Sequence, residues 1–275
     1  MKRLLTAVIV LPFLIASFLV ASLWWVFVLL AVAAMVLGLW EFYALAKRLQ
    51  LKPDIPTGYI AAAILLTISV QNDYSITFAG SFFVVIVFTA VSMIANTLRG
   101  APFDKMIASV GATMLGILYI PLMGSHLLSI RMGFDQTLSA HLLSFFFLVL
   151  MGGDAGAYYV GRALGKHKLA PSISPGKTWE GVAGGIAAAL AMGALSHFWF
   201  FRELPLRYIL PLAAVMTIVG ILGDLTESAL KRGAGAKDAA NLLPGHGGIL
   251  DRLDSLLFNA PLIYYFARFY FIADR

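Results

Sequence analysis

Runs of about 20 apolar residues recur from one end of this 275-residue chain to the other, parted only by short polar breaks. Each run is long enough to cross the hydrocarbon core of a bilayer as an α-helix, and in hydrocarbon the backbone polar groups must bond to one another. The fold class is thereby narrowed to an all-α, polytopic bundle of transmembrane helices. The runs fall at about 4–20, 23–44, 57–71, 78–97, 107–130, 139–160, 181–200, 208–230 and 255–272, which predicts nine spans. The start, Met1-Lys2-Arg3 and then an apolar run ending near Ala21-Ser22, has the form of a secretory leader. A second apolar run follows at once, so the first helix is expected to be retained.

Only 12% of the residues are charged against 60% hydrophobic, whereas soluble domains carry about 25% charge. Little is left for a separate soluble domain. The chain is read as one integral membrane domain, 1–275, with N-terminal helices over 1–138 and catalytic helices with their loops over 139–275. Cysteine is absent, which removes disulfides, thiolate nucleophiles and cysteine-held zinc. Chemistry must come from carboxylates, bases and hydroxyls. The net charge of +6 is the cytoplasmic-loop bias of a membrane protein rather than a sign of nucleic acid, which is excluded as a partner. With the N-terminus cytoplasmic, fifteen of the twenty Lys and Arg fall on the inner side, and only Arg131, Arg202, Arg207, Arg268 and Arg275 fall outside or in the last span.

The charges gather in two segments on that inner side. Residues 152–181 hold Asp154, Arg162, Lys166, Lys168, Lys177 and Glu180; residues 224–254 hold Asp224, Glu227, Lys231, Arg232, Lys237, Asp238, Asp251, Arg252 and Asp254. A site facing cytosolic substrates is implied. At the end of the eighth run, Asp224, Glu227, Ser228 and Lys231 recur at spacings of three and four and share one helix face. Carboxylates near a membrane helix end need a counter-charge, a cation or a wet cavity. The loop 233–248 is rich in breakers, and its Pro244-Gly245-His246-Gly247-Gly248 lets backbone amides approach a phosphate while His246 can donate or carry a proton. Asp251 and Asp254 follow at i and i+3. Hard cations such as Mg2+ are held by one or two carboxylates with substrate phosphates, so Asp224, Asp251 and Asp254 are candidates to converge on one metal. Acids among basic residues in so short a stretch point to phosphoryl or nucleotidyl transfer.

In the other segment Asp154 stands beside Gly152, Gly153 and Gly156, whose small size permits close helix approach. Ser174 and Pro175 are expected to be the N-cap and first-turn residue of the seventh span, placing Lys177 beside a helix N-terminus suited to anions. Gly176-Lys177-Thr178 mimics the tail of a Walker A loop, but Pro171 occupies the position of its first glycine, so a P-loop is rejected. Trp24, Trp25, Trp40 and Tyr43 are read as interfacial anchors, as are His126, His141 and His197 at outer ends, and Glu41 as snorkelling to the interface.

The run from Ser228 through Lys231-Arg232, Lys237-Asp238, Pro244-Gly245-His246-Gly247-Gly248 and Asp251-Arg252-Leu253-Asp254 resembles the phosphatidate cytidylyltransferase, or CDP-diacylglycerol synthase, family. Gly223-Asp224, Glu227, Gly165 to Lys168 and Ser174 to Trp179 look like that family too, while the N-terminal half is similar only in hydropathy. The resemblance implies condensation of CTP with phosphatidate to CDP-diacylglycerol and diphosphate, with a divalent cation, in phospholipid biosynthesis at a bacterial inner membrane. It carries Asp224, Lys231, Lys237, His246 and Asp251 as catalytic residues, and Lys166, Lys168, Ser174, Lys177, Ser228, Arg232, Gly247, Gly248 and Arg252 as substrate-binding ones. Asp224, Asp251 and Asp254, with Asp154 near, are the expected metal ligands. Mg2+ is the expected cofactor, a second cation and a homodimer are left open, and the partners are CTP, phosphatidate and the bilayer. A coupled membrane transporter is the alternative, since intramembrane carboxylates also build ion sites.

Overall fold

The computed structural model describes residues 12–71, 73–100, 103–236 and 248–272, and these are helical nearly throughout. After a helical stretch at 12–19 and a short turn, nine α-helices follow among the described residues: α1 Trp24–Arg48, α2 Ile55–Val70, α3 Tyr74–Leu98, α4 Met106–Ile117, α5 Met123–Gly133, α6 Gln136–Leu164, α7 Trp179–Trp199, α8 Leu206–Gly233 and α9 Leu250–Phe271. A π-helical turn containing Pro121 joins α4 to α5, so the apolar run at 107–130 is one rod with a local bulge. Local chemistry sets the ends. The Asp73 side chain accepts from the Ile76 amide at 3.1 Å to start α3, and Gln50 turns the chain out of α1 with φ of 58°.

Among the described residues six helical stretches are long and apolar enough to cross a membrane: Ala21–Arg48, Tyr74–Leu98, Phe103–Gly133, Gln136–Leu164, Trp179–Trp199 and Leu206–Gly233. The protein is therefore all-α and polytopic. Three of the nine expected spans are not among the six, for separate reasons. The run at 4–20 is described only from residue 12, α2 has only 16 residues, and α9 carries Asp251, Arg252, Asp254 and Arg268.

The chain divides into two compact units, Met1–Gln136 with Leu230–Leu253, and Thr137–Ala229 with Asp254–Arg275. The first packs α1 to α5 around Leu39, Ala61, Leu65, Ile117 and Ile120, all without exposed surface. Tyr43 belongs to this core rather than to an interface: it is buried and its hydroxyl donates to the Thr113 carbonyl at 3.1 Å, because Gly58 and Gly116 leave room for the ring. Trp24, Trp25 and Trp40 are exposed, as anchors must be. The second unit is built on Phe145, Phe146, Val149, Ala189, Met216 and Ile263.

Within the second unit α6 and α7 approach closely along glycines. A Cβ on Gly185 would stand 3.1 Å from the Gly153 carbonyl oxygen. Their connection is a two-stranded antiparallel hairpin, β1 Lys168–Ala170 and β2 Ser174–Thr178, pairing Lys168 with Thr178 and Ala170 with Ser174. This corrects the expectation that Ser174 and Pro175 open the seventh helix. Thr178 is the N-cap: its backbone is extended, and its hydroxyl accepts from the Gly181 amide at 3.1 Å. A β-branched residue in extended backbone with a free hydroxyl does what Ser174, paired in the strand, does not.

Candidate active site

The second unit brings three carboxylates together. Gly220 and Gly223 sit one turn apart on α8, and a Cβ on Gly223 would lie 2.8 Å from the Asp254 carbonyl oxygen and 2.9 Å from the Phe258 ring. The absence of side chains lets α8 press against α9 there. One consequence is that Asp224 and Glu227 of α8 and Asp254 of α9 present one oxygen each, all within 4.8 Å of one another. Hard cations hold their oxygens at about 2.0–2.6 Å, so this spread is that of a single coordination sphere. An all-oxygen donor set suits such a cation and not a soft metal. The residues present thus fit a divalent cation.

One lysine and one hydroxyl meet the cluster, both at Asp224. Lys177, from the end of β2, meets Asp224 at 2.6 Å, and the Ser228 hydroxyl donates to the other Asp224 oxygen at 3.3 Å. Asp154 of α6 lies within electrostatic reach of Asp224 and Lys177, and Asp254 within reach of Asp224, Asp154 and Lys177. The hairpin is fixed from below by Glu180, whose carboxylate accepts from the Lys166 amide at 3.1 Å, the His167 amide at 3.3 Å and the His167 ring at 2.6 Å. Lys166 and Lys168 are left exposed on it. Ser174 is half-buried in β2.

Other expected site residues stand in the first unit. Lys231, in the last turn of α8, pairs with Asp251 in the first turn of α9. The second Asp251 oxygen accepts from the Gly248 amide at 2.8 Å. The amides of Ile249 and Leu250 donate to Glu41 at 2.9 and 2.7 Å. Glu41 is therefore not snorkelling: it has no exposed surface, because two helix-terminal amides satisfy its carboxylate inside the fold. Arg232 reaches the Ala236 carbonyl at 3.5 Å, and Arg252 is exposed. Lys237, His246 and Gly247 lie outside the described residues.

Two residues go beyond the sequence-based set. Glu227 joins the acid cluster, and its signal was present, since it follows Asp224 by three positions on the same face. Glu41 had no such signal, because its partners are more than 200 positions away.

A multi-pass helical protein whose carboxylate cluster fits a hard cation, with a lysine on one of its acids, has the makings of a membrane-embedded catalyst of phosphate chemistry. The chain belongs to the Cytidylyltransferase family, whose model matches residues 1–270. It is 36% identical over 240 residues to the phosphatidate cytidylyltransferase of Bacillus subtilis, covering 83% of this chain and 85% of that protein. It is 34% identical over 267 residues to that of Pseudomonas aeruginosa, covering 95% and 94%. A shorter stretch of 129 residues is 44% identical to that of Haemophilus influenzae, 46% of this chain and 45% of that protein. The transporter alternative draws no support from these relatives.

Proposed function

We propose that the chain transfers the cytidylyl group of CTP to phosphatidate, giving CDP-diacylglycerol and diphosphate for phospholipid synthesis. The observation that carries this reading is the Asp224, Glu227 and Asp254 cluster with Lys177 on Asp224, in a chain that matches the family over nearly its whole length. A phosphate oxygen of phosphatidate attacks the α-phosphorus of CTP, the new P–O–P bond forms, and the bond to the β-phosphate breaks to release diphosphate. A phosphate monoester is nucleophilic near neutrality, so no strong base is required.

Asp224, Asp254 and Glu227, with Asp154 near, are the residues that would hold Mg2+, and Asp251 is assigned to it on its sequence pattern alone. When bound, that ion neutralises charge on the triphosphate and on the departing diphosphate. Lys177 and Lys231 each pair with a carboxylate and can exchange it for a phosphate oxygen of similar geometry and charge. Lys166, Lys168 and Arg252 are exposed and offer cations to the triphosphate or the lipid phosphate. Ser228 orients Asp224, while Lys237, His246 and Gly247 are assigned phosphate contacts on their sequence pattern alone.

Nine spans with a cytoplasmic N-terminus, in a bacterial cytoplasmic membrane, place both charged segments where CTP is found. The test is diphosphate release by the purified chain with each nucleoside triphosphate, with and without phosphatidate and Mg2+. Release is expected only when CTP, phosphatidate and the cation are all present, with CDP-diacylglycerol as the lipid product. Release without phosphatidate, or none with all three, overturns the reading.

A further inference from the structure

Glu41 is among the buried carboxylates that the proposed reaction leaves unused. Glu41 lies near the end of α1, in the half of the chain whose sequence carries no motif, and it is fully buried. A carboxylate there is costly unless its oxygens are engaged. They accept the amides of Ile249 and Leu250, two of the orphan donors at the start of α9, where the helix dipole favours negative charge. The preceding amide, Gly248, donates to Asp251. Three consecutive amides are thus bound by two carboxylates, one from α1 and one from α9 itself.

Gly248 shows how tightly this seat is made. A Cβ there would stand 2.5 Å from one Glu41 carboxylate oxygen and 3.0 Å from the other. The close approach of the Glu41 carboxylate is itself a reason for a glycine at this position. Asp251 sits one position beyond the anchored amides, and its other oxygen holds Lys231.

We propose that Glu41 is a positioning residue: by clamping the first turn of α9 it fixes Asp251, and through Asp251 the Lys231 ammonium, in the geometry the reaction uses. The functional half of this rests on the proposed cytidylyl transfer; the anchoring half does not.

Full-length chain in detergent micelles is compared as wild type, Glu41→Gln, Glu41→Ala, Gly248→Ala and the Glu41→Ala/Gly248→Ala double variant. Hydrogen exchange reads the anchor directly. The Ile249 and Leu250 amides are expected to exchange at least roughly tenfold faster in Glu41→Ala than in wild type, with the core of α1 unchanged. Diphosphate release reads the consequence. A displacement of about 1 Å at a reacting group costs on the order of 100-fold, so Glu41→Ala is expected to lower kcat by about that factor with KM for CTP little changed. Glu41→Gln, which keeps an acceptor oxygen, is expected to retain more activity than Glu41→Ala. Gly248→Ala alone should resemble Glu41→Ala, yet add little on top of it, since the methyl then enters the space that Glu41 vacates.

Unchanged exchange at Ile249 and Leu250 overturns the anchor. Unchanged kcat in Glu41→Ala, or losses that multiply in the double variant, overturns the positioning role. Should Glu41→Ala fail to fold, Glu41→Gln and Gly248→Ala decide by the same exchange and kcat readouts. A wild-type chain that releases no diphosphate from CTP and phosphatidate sinks the proposed reaction, while the exchange result still decides the anchor.

Discussion

Lys177 rests on Asp224 and Lys231 on Asp251, so each lysine faces an acid that the proposed reaction needs for other work. Replacing one member of such a pair leaves the other charge unmatched. Asp251→Asn keeps the acceptor oxygen for the Gly248 amide while removing the charge opposite Lys231. The variant is expected to fold and insert yet lose cation-dependent CDP-lipid formation by at least roughly 100-fold, as read by diphosphate release across a Mg2+ titration. Full activity would remove Asp251 from the machinery. At this scale the sequence was a good guide wherever partners lie on one helix. Asp224, Glu227, Ser228 and Lys231 announce their shared face by spacing. Glu41 and Tyr43 announce nothing, because each is satisfied by a group far along the chain, and a polar or aromatic residue near a predicted helix end has the same local pattern whether it faces lipid or a buried amide.

Helix contacts and caps decide how those residues are presented. The Thr178 hydroxyl starts α7, so Thr178→Val, nearly the same in shape, is expected to cost about 1 kcal/mol, seen as a lower Tm, with Thr178→Ser close to wild type. Equal Tm values for valine and serine would show that the cap contributes nothing. Gly223 permits the approach of α8 to α9. Gly223→Ala forces the helices apart by the width of a methyl, and is expected to raise the cation concentration for half-maximal activity by roughly tenfold or more, since the carboxylates proposed to share one ion sit on opposite sides of that contact. An unchanged cation dependence would mean that the cluster does not hold the ion. The helices were legible in the hydropathy. The hairpin 168–178 was not, for Ser-Pro-Gly is equally the opening of a helix and part of an exposed strand, and only pairing with Lys168 to Ala170 chooses between them.

For the molecule as a whole, orientation is the property with the widest consequences, and the lack of native cysteine makes it readily measured. A cysteine introduced at Lys168 is expected to react with an impermeant maleimide only after the inner face is opened, and one at Arg202 from the outside of intact cells. The reverse pattern would move the charged segments away from CTP and end the proposed reaction. What the sequence determined by itself was the membrane, the helical class and the acids and lysines fit for nucleotide chemistry, because hydrophobic length and helical spacing are local properties that any window of the chain displays. Only tertiary structure decided that Glu227 completes the carboxylate cluster, that Thr178 rather than Ser174 caps α7, and that Glu41 holds the start of α9. Those outcomes depend on how closely two backbones approach and on which buried donor meets which acceptor, and neither is written in the order of residues along one helix.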